Sequence, residues 1–296
     1  MVQAEEGGET ALSAMRRSTK LSVAIPSSLV SELSHLREKT HAIGEVGRTV
    51  AIYRVDDIYI YRDAPDEGQL IRSVLRYMET PQYLRKRLIK KRPELRYAGV
   101  LPPLRTPHHP LNSESHKLAR GEFREGVVLS EEGGHHIVDI GVERPIKAEG
   151  RAPSIGSRAT VQVTQVKPDL RGRFVGGREV DLYWGYDVHV TGTLGELASR
   201  DLFDLKLATS RHAPSYTEVK PEIHSRWTGA RRVLVAFGSP RRGLTEILAQ
   251  EGQELGQLFH FAVNTVPGQG CATVRTEEAL HATLAVLNLL DYRDSV

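Results

Sequence analysis

The sequence predicts an α/β fold in which a parallel sheet is interrupted by an inserted β-domain. Apolar strand-like runs alternate with segments of helical periodicity over residues 20–105 and again over residues 182–296. Between them, over residues 106–181, helical periodicity disappears and short β-type runs are separated by glycine and proline. Strands that alternate with helices are typical of a doubly wound parallel sheet. We therefore predict a split α/β domain, one inserted domain and a disordered polar tail over residues 1–19.

The first half of the α/β domain opens with an apolar strand at residues 21–25. Residues 26–28 then offer capping hydroxyls, and apolar residues recur at helical spacing over 29–36, so the sequence predicts a strand followed by a helix. Residues 49–55 and 58–61 are rich in β-branched and aromatic side chains, which predicts two further strands.

A concentrated basic segment follows a helix that apolar residues predict at 70–78. Residues 82–96 hold seven arginines and lysines against one glutamate, a net charge of +6, so the rest of a chain of net charge +3 carries −3. A basic patch on a near-neutral body favours polyanion binding, because neutralised phosphates release counterions. A solvated helix face has the same composition. The residues that we expect to contact nucleic acid are Arg85, Lys86, Arg87, Lys90, Lys91 and Arg92.

The inserted segment has the pattern of a small barrel. β-type runs lie at residues 126–129, 136–140 and 159–164, and glycine clusters separate them. Short strands and glycine turns over about seventy-five residues indicate an OB-like barrel. Barrels of this kind commonly bind single-stranded nucleic acid.

The α/β pattern resumes after the insert and continues to the end of the chain. We predict, in order, a strand at 183–190, a short helix at 194–198, strands at 203–208, 232–237 and 259–263, and a closing helix over 277–290. No repeat of fixed period is present, so solenoid and propeller folds are not predicted.

Two glycine-rich loops follow the predicted strands that end at Phe237 and Val263. The first reads Gly238-Ser239-Pro240-Arg241-Arg242-Gly243, and the second reads Asn264-Thr265-Val266-Pro267-Gly268-Gln269-Gly270. Ligands of parallel sheets bind beyond the carboxyl ends of the strands, and glycines let a flat ligand approach the backbone. Ordinary tight turns have a similar composition. Neither loop matches the dinucleotide fingerprint or the P-loop, so NAD and ATP are not predicted.

The second loop and the tract after it resemble the carboxyl-terminal knot motif of the SPOUT methyltransferases. The tract reads Thr273-Val274-Arg275-Thr276-Glu277-Glu278-Ala279. More narrowly, the chain is similar to the branch of RNA methyltransferases that carry an OB-like insertion and occur in archaea and eukaryotes. The similarity extends to residues 77–86, 101–104, 107–109, 123–126 and 183–186, and covers the chain from about residue 21.

The resemblance implies a trefoil-knotted fold, an S-adenosylmethionine cofactor and a homodimer with each active site near the subunit interface. One departure is that relatives carry a Gly-Thr-Ser-Glu-Arg-Gly loop where residues 208–213 read Ala-Thr-Ser-Arg-His-Ala, so the acidic residue has no counterpart. Carried over residue by residue, the implied cofactor contacts are Thr209, Gly238, Ser239, Pro240, Gly243, Asn264, Thr265, Val266, Pro267, Gly268, Gly270, Thr273, Val274, Arg275 and Thr276.

The chemistry of methyl transfer narrows the catalytic candidates. A sulfonium methyl is already activated, so transfer needs in-line positioning and no metal, and we expect none. A weakly acidic acceptor such as uridine N3 also needs a base, or a cation that stabilises the developing anion. The candidates are Arg275, Glu277, Glu278 and Asn264. Both glutamates, with Thr276 as a cap, also suit the start of the closing helix.

Other reactive residue types give weaker signals. His108-His109 and His135-His136 are adjacent pairs whose side chains diverge on a strand, so we expect surface or RNA-contact positions rather than a metal site. We expect Cys271 to be a small buried packing residue rather than a nucleophile. The aromatic residues Tyr53, Tyr59, Tyr61 and Trp184 are predicted to pack the sheet.

The leading hypothesis is an S-adenosylmethionine-dependent RNA methyltransferase that acts on a base of ribosomal or transfer RNA. The single cysteine, the lack of an 18-residue apolar run and the polar first twenty residues predict a cytoplasmic protein without a membrane span. Two alternatives stay open. One is a SPOUT-type protein methyltransferase whose basic patch grips an acidic partner, and the other is a non-catalytic RNA-binding ribosome-assembly factor.

Overall fold

The computed structural model describes residues 14–177 and 179–291. The chain divides into two compact units. The barrel unit comprises residues 14–16, 81–84, 105–177 and 179–184, and the sheet unit comprises residues 17–80, 85–104 and 185–291. Within the described ranges, no helix is both long enough and apolar enough to span a membrane.

The α-helices and β-strands of the described residues are numbered here in chain order. They are β1 (Lys20–Pro26), α1 (Leu36–Ile52), β2 (Asp57–Tyr61), α2 (Gly68–Glu79), α3 (Gln82–Leu88), β3 (Phe123–Glu132), β4 (His135–Asp139), β5 (Ile146–Glu149), β6 (Arg158–Gln165), β7 (Arg171–Phe174), β8 (Asp187–Val190), α4 (Leu194–Ala198), β9 (Leu205–Thr209), α5 (Tyr216–Gly229), β10 (Arg232–Ala236), α6 (Leu244–Gln250), α7 (Leu255–Leu258), β11 (Phe261–Val263) and α8 (Thr276–Asn288).

Six parallel strands form the centre of the sheet unit, in the order β11-β9-β10-β1-β2-β8. The parallel sheet confirms the predicted fold class. Central strands are buried on both faces, as the adjacent residues Val23 and Ala24 of β1 and Leu234 and Val235 of β10 show, because successive side chains point to opposite faces. This burial explains why these strands are continuous apolar runs rather than alternating ones. Because all six strands run the same way, their carboxyl ends meet at one edge of the sheet.

The strand predicted at residues 49–55 is wrong. Residues 49–52 form the last turn of α1, which begins at Leu36 and not near Leu29 as the spacing suggested. Val46 and Val50 are fully buried one turn apart, and a Cβ on Gly47 would lie 2.8 Å from the Met78 sulfur of α2. This close packing of α1 on α2 favours a helix despite the β-branched side chains, because tertiary contacts override local propensity.

The remaining elements of the sheet unit were predicted unevenly. The strands around β9, β10 and β11, the helices α2 and α4, and the closing helix α8 are confirmed. Helices α5, α6 and α7 were missed. In α5 only Ile223 and Trp227 are buried and Pro221 lies inside the helix, so its apolar periodicity is weak. Helices α6 and α7 span seven and four residues, too few for a periodic signal.

The barrel unit contains a closed five-stranded barrel in the order β3-β4-β5-β7-β6, which confirms the predicted barrel. Its interior is apolar and includes the fully buried Val128, Val138 and Val161. The four-residue strands β5 and β7 were not predicted. On β7, a Cβ at Gly172 would lie 2.6 Å from a methyl carbon of Val161, so this glycine lets the strand approach the core.

Two predictions for the barrel unit are wrong. His108 is fully buried, with its Nδ1 3.1 Å from the Thr106 hydroxyl, and is therefore not a surface residue. Trp184 belongs to the barrel unit rather than the sheet, because the strand predicted from residue 183 begins only at Asp187. The prediction for Tyr59 and Tyr61 is confirmed, since both are buried in the sheet.

Candidate active site

Three loops of the sheet unit meet at the carboxyl edge of the sheet. Ala208 of β9 is in register with Ala236 of β10, and Thr209 is in register with Val263 of β11. The loops that follow these strands, residues 210–215, 237–243 and 264–275, therefore start side by side. Both glycine-rich loops identified from the sequence lie at this edge.

The first glycine-rich loop is a tight turn closed by its own backbone. The Ser239 amide donates to the Arg242 carbonyl oxygen at 2.9 Å, and the Arg242 amide donates to Ser239 Oγ at 3.1 Å. A Cβ on Gly238 would lie 2.9 Å from that same carbonyl oxygen, so the turn requires glycine there. Pro240 is half-buried, and Gly243 is the N-cap residue of α6.

A buried carboxylate ties this loop to the neighbouring strands. Asp63 follows β2, and its side chain is only 3% exposed. It accepts a hydrogen bond from the Ser28 hydroxyl and pairs with the Arg242 guanidinium. The Asp63 amide donates to Ser27 Oγ at 2.9 Å. We call Ser27, Ser28, Asp63 and Arg242 the Asp63 cluster, and it joins the loops after β1, β2 and β10.

The Asp63 cluster was missed by the sequence reasoning. The serines were interpreted as capping hydroxyls for a helix, but they bond to Asp63 instead. The available signal was a pair of serines and an aspartate, each directly after an apolar strand. Such positions converge at the same sheet edge in a parallel fold.

The second glycine-rich loop is shaped by Asn264. Its Oδ1 accepts from the Val266 amide at 3.0 Å, and its Nδ2 donates to the Arg211 carbonyl oxygen at 3.0 Å. Both polar atoms of the Asn264 side chain are therefore hydrogen-bonded to main-chain groups. Asn264 is better suited to positioning the loop than to transferring a proton. Gly268 has φ +67°, in the left-handed region that glycine adopts without strain. Pro267, Gly268 and Gly270 are exposed.

Three threonines predicted as cofactor contacts use their hydroxyls to fasten the loops. Thr209 Oγ1 donates to the Ala236 carbonyl oxygen at 2.9 Å, and Thr265 Oγ1 lies 2.7 Å from Thr283 Oγ1 of α8. Thr276 Oγ1 donates to the Gly238 carbonyl oxygen at 3.3 Å. That hydrogen bond connects the tract after β11 to the loop after β10.

The start of α8 presents a cation and two carboxylates. Arg275 is exposed and is the N-cap residue, and its amide donates to the Glu278 carboxylate at 2.9 Å. Thr276 was predicted to cap this helix, but Glu278 satisfies the cap instead. Burial raises the pKa of the half-buried Glu277 carboxyl. Cys271 is exposed, which corrects the prediction of a buried packing residue.

The loop after β9 contributes an arginine that links two loops, where relatives carry an acidic residue. Arg211 stands in the tract where the resemblance led us to note a missing glutamate, and its Nη1 donates to the Ala272 carbonyl oxygen at 2.6 Å. This bond links the loop after β9 to the tract before α8. The neighbouring Thr273 is exposed, and Val274 is half-buried.

The basic segment is divided by the structure into one structural arginine and an exposed remainder. Arg85 Nε donates to the Thr80 carbonyl oxygen at 2.9 Å, Nη2 donates to the Met78 carbonyl oxygen at 3.2 Å, and the guanidinium lies 4.4 Å from the Tyr77 ring centroid. These contacts satisfy the carboxyl end of α2 and hold Arg85 inward. The exposed members are Lys86, Arg87, Lys90, Lys91 and Arg92.

The fold and this loop set define an α/β protein with glycine-rich loops at the carboxyl edge of a parallel sheet and an inserted barrel. The family model described as "Putative RNA methyltransferase" matches residues 20–287. The chain belongs to this RNA methyltransferase family.

Relatives match along nearly the whole chain. An uncharacterised protein of Haloarcula marismortui is 37% identical over 288 residues, which covers 91% of this chain and 99% of that protein. The 28S rRNA (uridine-N(3))-methyltransferase of Homo sapiens is 30% identical over 303 residues, which covers 90% of this chain and 77% of that protein. The protein of the same name in Drosophila melanogaster is 29% identical over 308 residues, with 90% of this chain and 61% of that protein covered.

Proposed function

We propose that this chain transfers a methyl group from S-adenosylmethionine to a base of RNA, and that the acceptor is uridine N3 of ribosomal RNA. The observation that carries the proposal is the glycine-rich loop set at the sheet edge, in a chain of an RNA methyltransferase family whose human relative is named for this reaction. The exposed basic residues from Lys86 to Arg92 supply a surface for RNA phosphates.

The residues at the sheet edge fit this cofactor. Gly268 and Gly270 are exposed and a Cβ on either would meet no neighbour, so backbone amides and carbonyls are open to a planar adenine. Thr209, Thr265 and Thr276 are already engaged in fixing the loops, so we assign the cofactor contacts to the main chain of residues 238–243 and 266–270. The Ser239, Arg242 and Val266 amides and the Gly238 and Arg242 carbonyls are left out of this assignment because they are already bonded within the loops. When bound, the cofactor supplies an activated methyl group on a sulfonium.

The start of α8 suits the acceptor side of the reaction. Uridine N3 carries a proton that must leave as the new N–C bond forms. The exposed guanidinium of Arg275 can stabilise the negative charge that develops on the base. The raised pKa of Glu277 brings its carboxylate closer to the range of an effective general base. We therefore assign Glu277 as the base that accepts the proton from uridine N3. Asn264 positions the second loop.

The SPOUT knot and the dimer belong to this proposal. The Thr276 bond to Gly238 supports a terminal tract that crosses the sheet edge, as a trefoil knot requires. The homodimer is proposed from the resemblance to the SPOUT methyltransferases. We assign residues 20–105 and 182–296 to the methyltransferase domain, residues 106–181 to the insert, and the protein to the cytoplasm.

Calorimetry tests the cofactor half of the proposal. Titration of the chain with S-adenosylmethionine should give saturable binding, and the product S-adenosylhomocysteine should compete. Reaction with isotopically labelled cofactor and ribosomal RNA should then place the label on uridine. Label on a co-purifying protein would support the protein methyltransferase alternative instead. RNA binding by a chain that shows no affinity for S-adenosylmethionine would support the assembly-factor alternative.

A further inference from the structure

The barrel unit carries a polar pocket that the proposed methyl-transfer site does not use. It is a cavity of about 290 Å³ that opens to solvent. Its walls include the side chains of Arg151, Pro153, Arg158, Thr160 and Phe174. Pockets for small ligands begin at about 300 Å³, so this one suits a ligand the size of a single nucleotide.

The floor of the pocket is a buried carboxylate with three donors. Glu125 of β3 lies opposite Thr160 of β6 and is 3% exposed. Its carboxylate accepts from Thr160 Oγ1 at 2.7 Å and also from Arg158 Nε and Trp184 Nε1. The negative charge is therefore compensated, and the guanidinium of Arg158 is held in one orientation. A fixed guanidinium is better prepared for phosphate than a freely rotating one.

Four aromatic residues from separate stretches of the chain, Tyr83, His108, Phe123 and Trp184, come together around this floor. The Tyr83 hydroxyl donates to the Glu125 carbonyl oxygen at 2.9 Å. The Trp184 ring lies 5.8 Å from the His108 ring and 6.1 Å from the Phe123 ring. These four residues therefore form one packed network behind the pocket.

The lining is complementary to a nucleotide. Arg151 is exposed and lines the same pocket as Arg158, so two positive charges lie around one phosphate position. Phe174 is half-buried at the end of β7, and its ring and Pro153 give the pocket an apolar wall against which a base can stack. We propose that this pocket holds one nucleotide of the single-stranded part of the RNA substrate. The inference rests on the proposed function in that the ligand is taken to be RNA.

Fluorescence anisotropy of the full chain with a labelled oligouridine of about ten nucleotides tests the proposal, without cofactor and over a range of salt. Arg151→Glu should weaken binding about tenfold. It should also make the decrease of affinity with rising salt less steep, by the amount expected for the loss of about one phosphate contact. Phe174→Leu keeps an apolar side chain at the end of the barrel but removes the stacking face, and should weaken binding at least fivefold. The matched control is Lys117→Glu, the same charge change at an exposed lysine of the barrel unit outside the pocket lining.

Equal affinities for Arg151→Glu and Lys117→Glu would overturn the proposal, because the loss would then be a general charge effect. Cross-linking of 4-thiouridine RNA should label peptides that contain residues 151–160 or 174–175, and labelling confined to other peptides would also overturn it. Competition by uridine monophosphate as strong as by the oligomer would assign the pocket to a free nucleotide instead. Cofactor binding and methylation are measured separately, so failure of the pocket and failure of the proposed function remain distinguishable.

Discussion

Removing the Arg242 side-chain charge should destabilise the chain more than neutralising its partner Asp63. The Asp63 side chain is 3% exposed and that of Arg242 is 24% exposed. Arg242→Met would leave a buried carboxylate without its cation, which costs about 3 kcal/mol, the lower end for a broken buried pair because the Ser28 hydroxyl still donates. Asp63→Asn leaves a guanidinium that reaches water, so its cost should be about 1.5 kcal/mol.

The double variant sharpens this prediction. In the double variant Asp63→Asn with Arg242→Met, loss of the guanidinium no longer leaves a buried carboxylate without a cation. The double variant should therefore lose about 2 kcal/mol of unfolding free energy rather than the sum of the two single effects. Urea denaturation at pH 7 measures all three variants. Because the cluster holds the first glycine-rich loop, the affinity for S-adenosylmethionine should fall in parallel.

The neighbouring arginine provides a matched control. Arg241 pairs with Glu32 at 3.5 Å, and both side chains are largely exposed, so Arg241→Met should change the unfolding free energy by no more than about 0.5 kcal/mol. An equal cost for Arg241→Met and Arg242→Met would refute the reasoning. Strict additivity in the double variant would refute it as well.

Further predictions concern the loop, the sheet, the basic segment and the acceptor side. Gly268→Val forces a β-branched residue to φ +67°, at a strain of roughly 1–2 kcal/mol, and should weaken cofactor affinity at least tenfold by calorimetry; equal affinity would contradict the loop assignment. Burial opposes ionisation of Asp57, but hydrogen bonds outweigh it and lower its pKa below 3.8. The ionised carboxylate therefore stabilises the fold above that pH. Urea denaturation at pH 7 should give Asp57→Asn a lower unfolding free energy than the unchanged chain, and this difference should disappear as the pH falls through the lowered pKa. A difference that does not depend on pH would contradict this prediction. Lys86→Glu should weaken RNA binding without changing the Tm, whereas Arg85→Glu should lower the Tm by removing the cap of α2; the reverse pattern would make Arg85 the RNA contact. Glu277→Gln should lower kcat about 100-fold and leave cofactor affinity unchanged, and wild-type kcat would exclude it as the base.

The sequence reveals the fold where burial and periodicity agree. Central strands such as β1 and β10 are buried on both faces and appear as continuous apolar runs, so they were predicted. The β-branched residues at the end of α1 predict a strand locally, and only the contact with α2 decides in favour of the helix. Helix α5 buries two side chains and therefore leaves almost no periodic signal.

The candidate site was predictable only in part for a related reason. Glycine-rich loops after strands are visible in the sequence, so both loops at the sheet edge could be located. Asp63 and Arg242 are separated by 179 positions, and no local pattern links them. The inward position of Arg85 was also hidden, because a basic run does not reveal which of its members caps the preceding helix. Long-range pairs of this kind become visible only with the fold.

The central claim is that this chain methylates a base of RNA, and nucleoside mass spectrometry tests it most directly. Ribosomal and transfer RNA would be compared between cells with and without the gene, and the purified chain would then be added back with deuterium-labelled S-adenosylmethionine. We predict that 3-methyluridine disappears from one position of ribosomal RNA without the gene and reappears, labelled, on addition of the chain. Identical nucleosides in both RNA preparations, with no label transferred to RNA, would contradict the claim.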